Sequence, residues 1–287
     1  MDIRFDEPMS KYTTFRTGGP ARRLVNVSSS EEVIDIIKEC QESGEDYYII
    51  GNGSNLLVSD KGYNGTIIRI YDGMDEITLD GNKIYAKAGA LLSSVAKFAK
   101  ENSLTGFEFA AGIPGTVGGG AIMNAGAYGG EIKDVCTYVD VIHNGNVERV
   151  SCEDMQFGYR HSRAMDEGFI VLGMEIELKP GDKNEISSYM NELAEKRRSK
   201  QPLEYPSAGS TFKRPEGYFA GKLIMDSGLA GKSVGGAMVS PKHCGFIINY
   251  DNATSTDVYE LINFVRDTVY KNYNVTLETE VRLLGEF

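Results

Sequence analysis

An α+β fold is predicted for this chain of 287 residues, and three observations predict it. Strand-like and helix-like runs follow one another without the strict βαβ alternation of a parallel sheet. Its 33 glycines are above average usage and strongly clustered, and residues 106–130, rich in them, interrupt the regular elements. Lys200-Gln201-Pro202 stops a helix late in the chain and marks a domain boundary. The length exceeds one average domain, so two or three are expected.

Residues 28–43, SSSEEVIDIIKECQES, put Val33, Ile36, Ile37 and Cys40 on one helical face. Ser29 and Glu32 have capping-box spacing and Gly44 supplies a stop. Tyr47 to Ile50 is a short apolar strand that runs into a glycine-rich turn, and Thr66–Ile70 and Lys83–Ala88 read as further strands. Leu91–Lys100 is a short helix. Residues 106–130 carry no regular period. Strands return at Val135–Ile142 and Phe169–Leu178, and a helix follows from about Glu185 to Arg198. Past the boundary come a helix near Phe219–Ser227, a strand at Phe246–Asn249, a helix from about Thr256 to Tyr270 and a closing strand at Val281–Leu284.

Composition narrows the function. A net charge of −11 without a basic tract argues against nucleic acid or an anionic membrane as partner. A small phosphorylated ligand remains compatible, because backbone N–H groups and a few local cations can hold it. No apolar run is long enough to span a bilayer and MDIRFDEPMSKY is not a signal peptide, so a cytoplasmic location is expected. Cys40, Cys136, Cys152 and Cys244, like the three histidines, are scattered, and neither a disulfide nor a metal site is expected.

Two glycine-rich segments are candidates for chemistry. Gly51-Asn52-Gly53-Ser54-Asn55 follows a strand, and such a turn can crowd backbone N–H groups around an anion. It is neither a Walker A loop nor a GxGxxG fingerprint, and taken alone such a loop is most often just a tight turn. The second segment runs from Gly112-Ile113-Pro114-Gly115-Thr116 through Val117-Gly118-Gly119-Gly120 to Met123-Asn124-Ala125-Gly126-Ala127-Tyr128-Gly129. A flexible linker would leave Ile113, Val117, Ile122 and Met123 exposed, so backbone lying against something flat or charged is the better reading. A pair of such loops suits a cofactor with a long diphosphate body.

Three later segments carry isolated polar groups. Tyr159-Arg160-His161-Ser162-Arg163 offers two guanidinium groups, natural forks for a carboxylate, although either alone would ordinarily be a solvated surface side chain. Ser207-Ala208-Gly209-Ser210-Thr211-Phe212-Lys213-Arg214 lacks the GxSxG pattern of a hydrolase and reads equally as a serine turn. Nothing local singles out Glu280 within Glu278-Thr279-Glu280-Val281-Arg282.

Taken together and in this order, the segments resemble the UDP-N-acetylenolpyruvoylglucosamine reductases. The likeness rests on YTTFRTGG (12–19), GNGSNLL (51–57), GIPGTVGG (112–119), MNAGAYG (123–129), YRHSR (159–163), SAGSTFKRP (207–215), KHCGFIIN (242–249) and LETEVRLLG (277–285). It covers nearly the whole chain. Gly120, Met238 and Thr279 stand where alanine, glutamine and proline are common.

The resemblance implies a two-part FAD-binding module of the vanillyl-alcohol-oxidase and p-cresol-methylhydroxylase type, followed by an α+β substrate-binding domain. The division it implies is 1–72 and 73–198 for the FAD module and 199–279 for the substrate, with 280–287 returning to the first part. The short passage from Leu178 into the next helix places the chain in the short-loop branch. FAD is expected between the first two parts, with its diphosphate near Gly51–Asn55 and Gly112–Thr116. None of these loop residues is a histidine or cysteine, so the FAD is expected to be non-covalent. NADPH is the expected co-substrate and a UDP-sugar enolpyruvyl ether the expected substrate. By the same resemblance Arg160 stabilises the substrate carboxylate, Glu280 assists by hydrogen bonding and Ser210 supplies a proton, with Lys213, Arg214, Lys222 and His243 near the substrate.

Overall fold

The computed structural model describes residues Met1–Phe287, and packing divides them into two compact units. The first comprises Met1–Ile3, Val25–Asn52 and Ile67–Arg197, and the second Arg4–Leu24, Gly53–Thr66 and Arg198–Phe287. Early in the chain, the strands Asp2–Pro8, Pro20–Val27, Tyr63–Ile70 and Tyr47–Ile50 form a sheet in that spatial order.

The first unit is built on a five-stranded sheet ordered Asn146–Ser151, Cys136–His143, Ile170–Glu177, Lys83–Lys87, Ile77–Asp80. Each neighbouring pair in it is antiparallel. Val139, Val141, Ile142, Val171, Met174, Ile176, Ile84 and Ala86 are buried into one core with residues of the helices Ser30–Ser43, Leu92–Glu101 and Val117–Ile122. Burial of this aliphatic surface, at roughly 25 cal/mol per Å² removed from water, is the main force holding the unit together.

The first helix shows how local sequence sets an element. Ser29 caps Ser30–Ser43 by accepting from Glu32 N at 3.2 Å, and Gly44 closes it at φ 68°. The expected reciprocal box is altered. The Glu32 carboxylate takes Ser28 N at 2.8 Å and the chain's amino terminus at 3.0 Å instead of the cap's own amide. Both contacts hold Glu32 ionised, and its pKa lies below the ordinary glutamate value.

The second unit has its own core. A three-stranded sheet, Ser233–Val234, Ala237–Val239 and Ile247–Asn249, is packed by the helices Ala220–Asp226 and Ser255–Tyr273 through Leu223, Ile224, Val258, Leu261, Ile262 and Val265. The last strand, Arg282–Leu284, pairs in parallel with Leu56–Val58. The long helix begins with a capping box between Thr254 and Asp257. Asp60 reinforces it, accepting from Ser255 N and Thr256 N at 2.8 Å each and from the Thr256 hydroxyl at 2.7 Å.

Segment 106–130, read from sequence as irregular, contains a short helix at Val117–Ile122. Glycine propensity opposes a helix there, and close packing overrides it. A Cβ on Gly118 would lie 3.1 Å from that of Ala88, and one on Gly120 would lie 3.0 Å from both Ile132 Cδ1 and Leu92 Cδ1. Gly120 therefore fits a space that alanine would crowd. Asp2–Pro8 and Pro20–Val27 are strands without an expectation from sequence.

Candidate functional site

In the first unit the two glycine-rich loops are joined. Asn52 Nδ2 donates to Pro114 O at 2.6 Å, across 62 residues of sequence. Beside it a Cβ on Gly51 would collide with Thr116 Oγ1 and lie 3.0 Å from Thr116 Cγ2. Only a residue without a side chain lets the strand Tyr47–Ile50 deliver its turn onto the second loop. Thr116, itself buried, caps the helix Val117–Ile122 through Gly119 N at 3.4 Å. Val117 N donates to Ala90 O and Gly118 N to Ala88 O, each at 2.8 Å, so the second loop is pinned to the strand end at Lys83–Lys87. The result is a double cradle of bare backbone on a rigid sheet.

That cradle tests whether the residues fit a flavin dinucleotide. A diphosphate needs closely approached amides free of side-chain cover and a site that does not have to be ordered on binding. Gly51 and Asn52, with Pro114 and Thr116 stitched to them, meet both needs, and the donor set contains no metal-binding cluster. They fit the group.

In the second unit Gly53 is as constrained. It sits at φ 61°, where a Cβ would strike Tyr12 O, and its carbonyl accepts Thr14 N at 3.2 Å. Ser54 is partly exposed, and Asn55 Nδ2 donates to Glu280 O at 3.1 Å.

The turn that carries Arg160 is held by the segment 122–131. Asn124 is fully buried at φ 41° and gives Nδ2 to Gly158 O at 2.9 Å and to Glu131 Oε2 at 2.6 Å. Ser162 Oγ donates to Ile122 O at 2.7 Å. Arg160 itself has φ 55°, unusual for a residue with a side chain, and its Nη2 donates to Gly126 O at 3.1 Å. Its guanidinium lies 5.2 Å from the centre of the Tyr159 ring.

The two arginines of this segment separate cleanly. Arg163 is taken up by Glu167, Nε to Oε1 at 2.6 Å and Nη2 to Oε2 at 3.0 Å, within the short helix Arg163–Glu167. Arg160 donates to the Gly126 carbonyl and lies over the Tyr159 ring. Strained backbone that is over-determined by its neighbours is the usual mark of a placed side chain. Asn124 had no assigned part in the sequence reading. A single asparagine embedded among glycines, able to adopt the left-handed conformation, was the available signal.

In the second unit Ser210 and Glu280 lie on adjoining segments. Glu280 N donates to Thr211 O at 2.8 Å, and Lys213 N to Glu278 O at 2.9 Å, so 211–213 runs beside 278–280. On its other side Thr211 N donates to Gly245 O at 2.8 Å and Thr211 Oγ1 accepts Ile247 N at 3.0 Å. Thr211 is fully buried, whereas Ser210 and Glu280 are half-buried. Gly209 precedes the serine at φ 77°, which turns the chain so that Ser210 follows a sharp bend. Ser210 therefore sits at a bend on a segment hydrogen-bonded to the one that carries Glu280.

The remaining candidates are engaged differently. Lys213 Nζ is 3.2 Å from Glu278, and Lys222 Nζ is 2.8 Å from Asp226 one helical turn on. Arg214 stacks 4.0 Å over the Phe219 ring and donates to Tyr218 O at 3.3 Å. His243 accepts Gly245 N at Nδ1, 3.2 Å away, which makes that nitrogen the unprotonated one. Burial lowers the His243 pKa below its ordinary value of 6.5, outweighing a backbone hydrogen bond that raises it.

Comparison with known proteins agrees across the chain. Residues 21–152 match the model of an FAD binding domain, and residues 201–284 match that of the UDP-N-acetylenolpyruvoylglucosamine reductase C-terminal domain. A UDP-N-acetylenolpyruvoylglucosamine reductase of Clostridium perfringens is 51% identical over 285 residues, covering 99% of this chain and 93% of the relative. One from Clostridioides difficile is 48% identical, covering 99% and 94%. The crystal structure of the Thermus caldophilus enzyme superposes with a TM-score of 0.85 at 36% identity, covering 99% of this chain and 98% of that one.

Proposed function

Because the chain belongs to the family of UDP-N-acetylenolpyruvoylglucosamine reductases, we propose that it reduces UDP-N-acetylglucosamine enolpyruvate to UDP-N-acetylmuramate. The reductant is NADPH, the prosthetic group is non-covalent FAD, and the product feeds peptidoglycan synthesis. Within a cell the place of this chemistry is the cytoplasm. No helix of the chain is long and apolar enough to cross a membrane.

The observation that carries the cofactor reading is the stitched cradle, Asn52 to Pro114 and Gly51 on Thr116. The diphosphate is held by backbone at Gly51, Asn52, Gly53, Ser54 and Asn55 and at Gly112, Ile113, Pro114, Gly115 and Thr116. When bound, the flavin supplies two-electron transfer from the nicotinamide to the substrate's double bond. Everything else is positioning and electrostatics by the protein.

Hydride addition to the terminal carbon of the enolpyruvyl group leaves negative charge on the neighbouring carbon and its carboxylate. Arg160 binds that carboxylate and gains more from it as the charge grows, which is the definition of transition-state stabilisation. Its constrained turn means that little reorganisation is needed. Ser210 donates its hydroxyl proton to the carbon, completing the lactyl ether. A serine is a weak acid and serves only a strongly basic centre held close to it. Glu280 hydrogen-bonds around the enolic group. Lys213, Arg214, Lys222 and His243 contribute to the diphosphate and carboxylate neighbourhood of the UDP-sugar. The division into 1–72, 73–198 and 199–279 is retained as the functional one, the first two parts for FAD and the third for the sugar nucleotide.

The cofactor assignment is tested on the purified protein. It should be yellow, and unfolding in acid or guanidinium should release free FAD into a small-molecule filtrate. Flavin that stays on the unfolded chain would replace this reading by one of a covalent flavoprotein.

A further inference from the structure

Asn124 takes no part in the chemistry assigned to Arg160, Ser210 and Glu280, yet few residues of the first unit are held so completely. It is fully buried, and its backbone sits at φ 41°, in the left-handed region. Its side chain makes three bonds, each to a different residue. Nδ2 donates to Gly158 O at 2.9 Å and to Glu131 Oε2 at 2.6 Å, while Oδ1 accepts Lys133 N at 3.0 Å. The amide nitrogen and the carbonyl are both used, and each partner asks for the group it meets. Aspartate would fill the same space but turn an acceptor towards a carbonyl and a carboxylate. Glycine would accept the backbone and leave all three bonds unmade.

Two of these partners belong to the surroundings of Arg160. Gly158 opens its turn: Gly158 N donates to His161 O at 2.9 Å and His161 N to Gly158 O at 3.4 Å, so residues 158–161 close on themselves around Arg160. Glu131 lies opposite Gly126 in the short antiparallel pair of Gly126–Ala127 with Gly130–Glu131, and the Gly126 carbonyl takes Arg160 Nη2 at 3.1 Å. A Cβ on Gly126 would lie 2.7 Å from Gly130 O and 2.8 Å from Glu131 Cγ, so this pair is close-packed. Asn124 is thus tied both to the backbone that carries Arg160 and to the hairpin that receives its guanidinium. Arg160 stands at φ 55°, a conformation that a residue with a side chain keeps only where its surroundings impose it.

We propose that Asn124 is a positioning residue of the reduction: through the Arg160 turn it sets the guanidinium where the substrate carboxylate meets it. The inference rests on the assignment of that carboxylate to Arg160. Transfer from NADPH makes no use of this placement, whereas transfer to the enolpyruvyl group does, because charge then grows on the carboxylate. A misplacement of about 1 Å that originates away from the reacting atoms is enough to cost about a hundredfold in rate.

The experiment uses the flavin-loaded protein and its variants Asn124→Gly, Asn124→Asp, Arg160→Met and the double variant Asn124→Gly with Arg160→Met. Stopped-flow absorbance reads the two half-reactions separately, calorimetric titration reads the affinity for UDP-N-acetylmuramate, and FAD content with thermal melting reports the fold. In Asn124→Gly and Asn124→Asp, reduction by NADPH stays near the parent rate, while oxidation by the substrate slows by about tenfold to a hundredfold and the product binds more weakly. In the Arg160→Met background Asn124→Gly adds little, since there is no guanidinium left to place. A merely structural role would give additive losses instead. Asn124→Gly keeps the left-handed backbone without strain, so it holds its fold even where Asn124→Asp is repelled by Glu131. If Asn124→Gly slows both half-reactions alike, adds its full effect to that of Arg160→Met, or loses the fold and its FAD, Asn124 serves the fold and not Arg160, and the proposal is overturned. If Arg160→Met itself keeps the parent's oxidative half-reaction and product affinity, it is the assignment of Arg160 that fails, and the proposal falls with it.

Discussion

Substituting Gly51 by alanine tests the joint between the two loops. The added methyl group would meet the Thr116 hydroxyl in direct collision, with Cγ2 at 3.0 Å and Cβ at 3.2 Å, and Thr116 is buried at 2% exposure. Overpacking of this kind costs about 1–3 kcal/mol. Alanine returns about 0.5–1 kcal/mol by its lower backbone entropy, since Gly51 does not need a positive φ. A net loss of up to about 2.5 kcal/mol follows. Removing the obstacle with Thr116→Gly costs only a few tenths for the long cap bond to Gly119, plus about 0.5–1 kcal/mol for the glycine itself. In the double variant the collision is gone and the entropic gain of alanine remains, so it should be more stable than Thr116→Gly by about 0.5–1 kcal/mol. The coupling energy is then about 1–3 kcal/mol, read by urea denaturation of the four flavin-free proteins. Gly51→Ala should also bind FAD more weakly, and the double variant should recover part of that affinity. Strict additivity of the two single changes would refute the joint.

Other perturbations follow from the same geometry. Ser210→Ala should leave reduction of the flavin by NADPH at its parent rate and slow the oxidative half-reaction by about 10²–10⁴-fold in stopped-flow absorbance. Asp60→Ala removes three hydrogen bonds from the start of the helix Ser255–Tyr273 and should cost about 1–2 kcal/mol at neutral pH. The Asp60 pKa is lowered: burial pushes it up, but the Thr256 and Ser255 bonds outweigh this. Its stabilisation is complete above the unfolded value of 3.8 and is lost as pH falls through the lower folded pKa, so parent and variant should converge in acid. His243 adds a loss of the same sign at higher pH. With a folded pKa below 6.5, the unfolded chain binds its proton first, and stability falls as pH drops from 6.5 towards the folded pKa. His243→Gln should flatten that part of the stability profile measured by denaturant midpoints.

Much of the architecture was legible in the sequence because it rests on local rules. Ser29, Gly44 and the spacing of Val33, Ile36, Ile37 and Cys40 are enough to place the helix Ser30–Ser43 to within two residues. The helix Val117–Ile122 was not legible. Its residues have poor intrinsic propensity, and what makes it a helix is the closeness of Ala88, Leu92 and Ile132, none of which a local window contains. The strand Asp2–Pro8 is exposed along most of its length, so no apolar alternation announces it. At the site, glycine density pointed to both loops, but nothing in the sequence shows that Asn52 reaches Pro114. Local pattern alone did not separate the two arginines of residues 159–163, whereas the structure pairs Arg163 with Glu167 and sets Arg160 on the Gly126 carbonyl.

This protein carries electrons from a nicotinamide to an enolpyruvyl double bond through a bound flavin. The direct measurement is made without oxygen. NADPH is added to the yellow protein until its absorbance near the flavin band is bleached, and UDP-N-acetylglucosamine enolpyruvate is then supplied in stoichiometric amount. Return of the yellow colour with formation of UDP-N-acetylmuramate is the expected result. A flavin that stays bleached in the presence of that substrate, yet recovers its colour with air, would contradict the account.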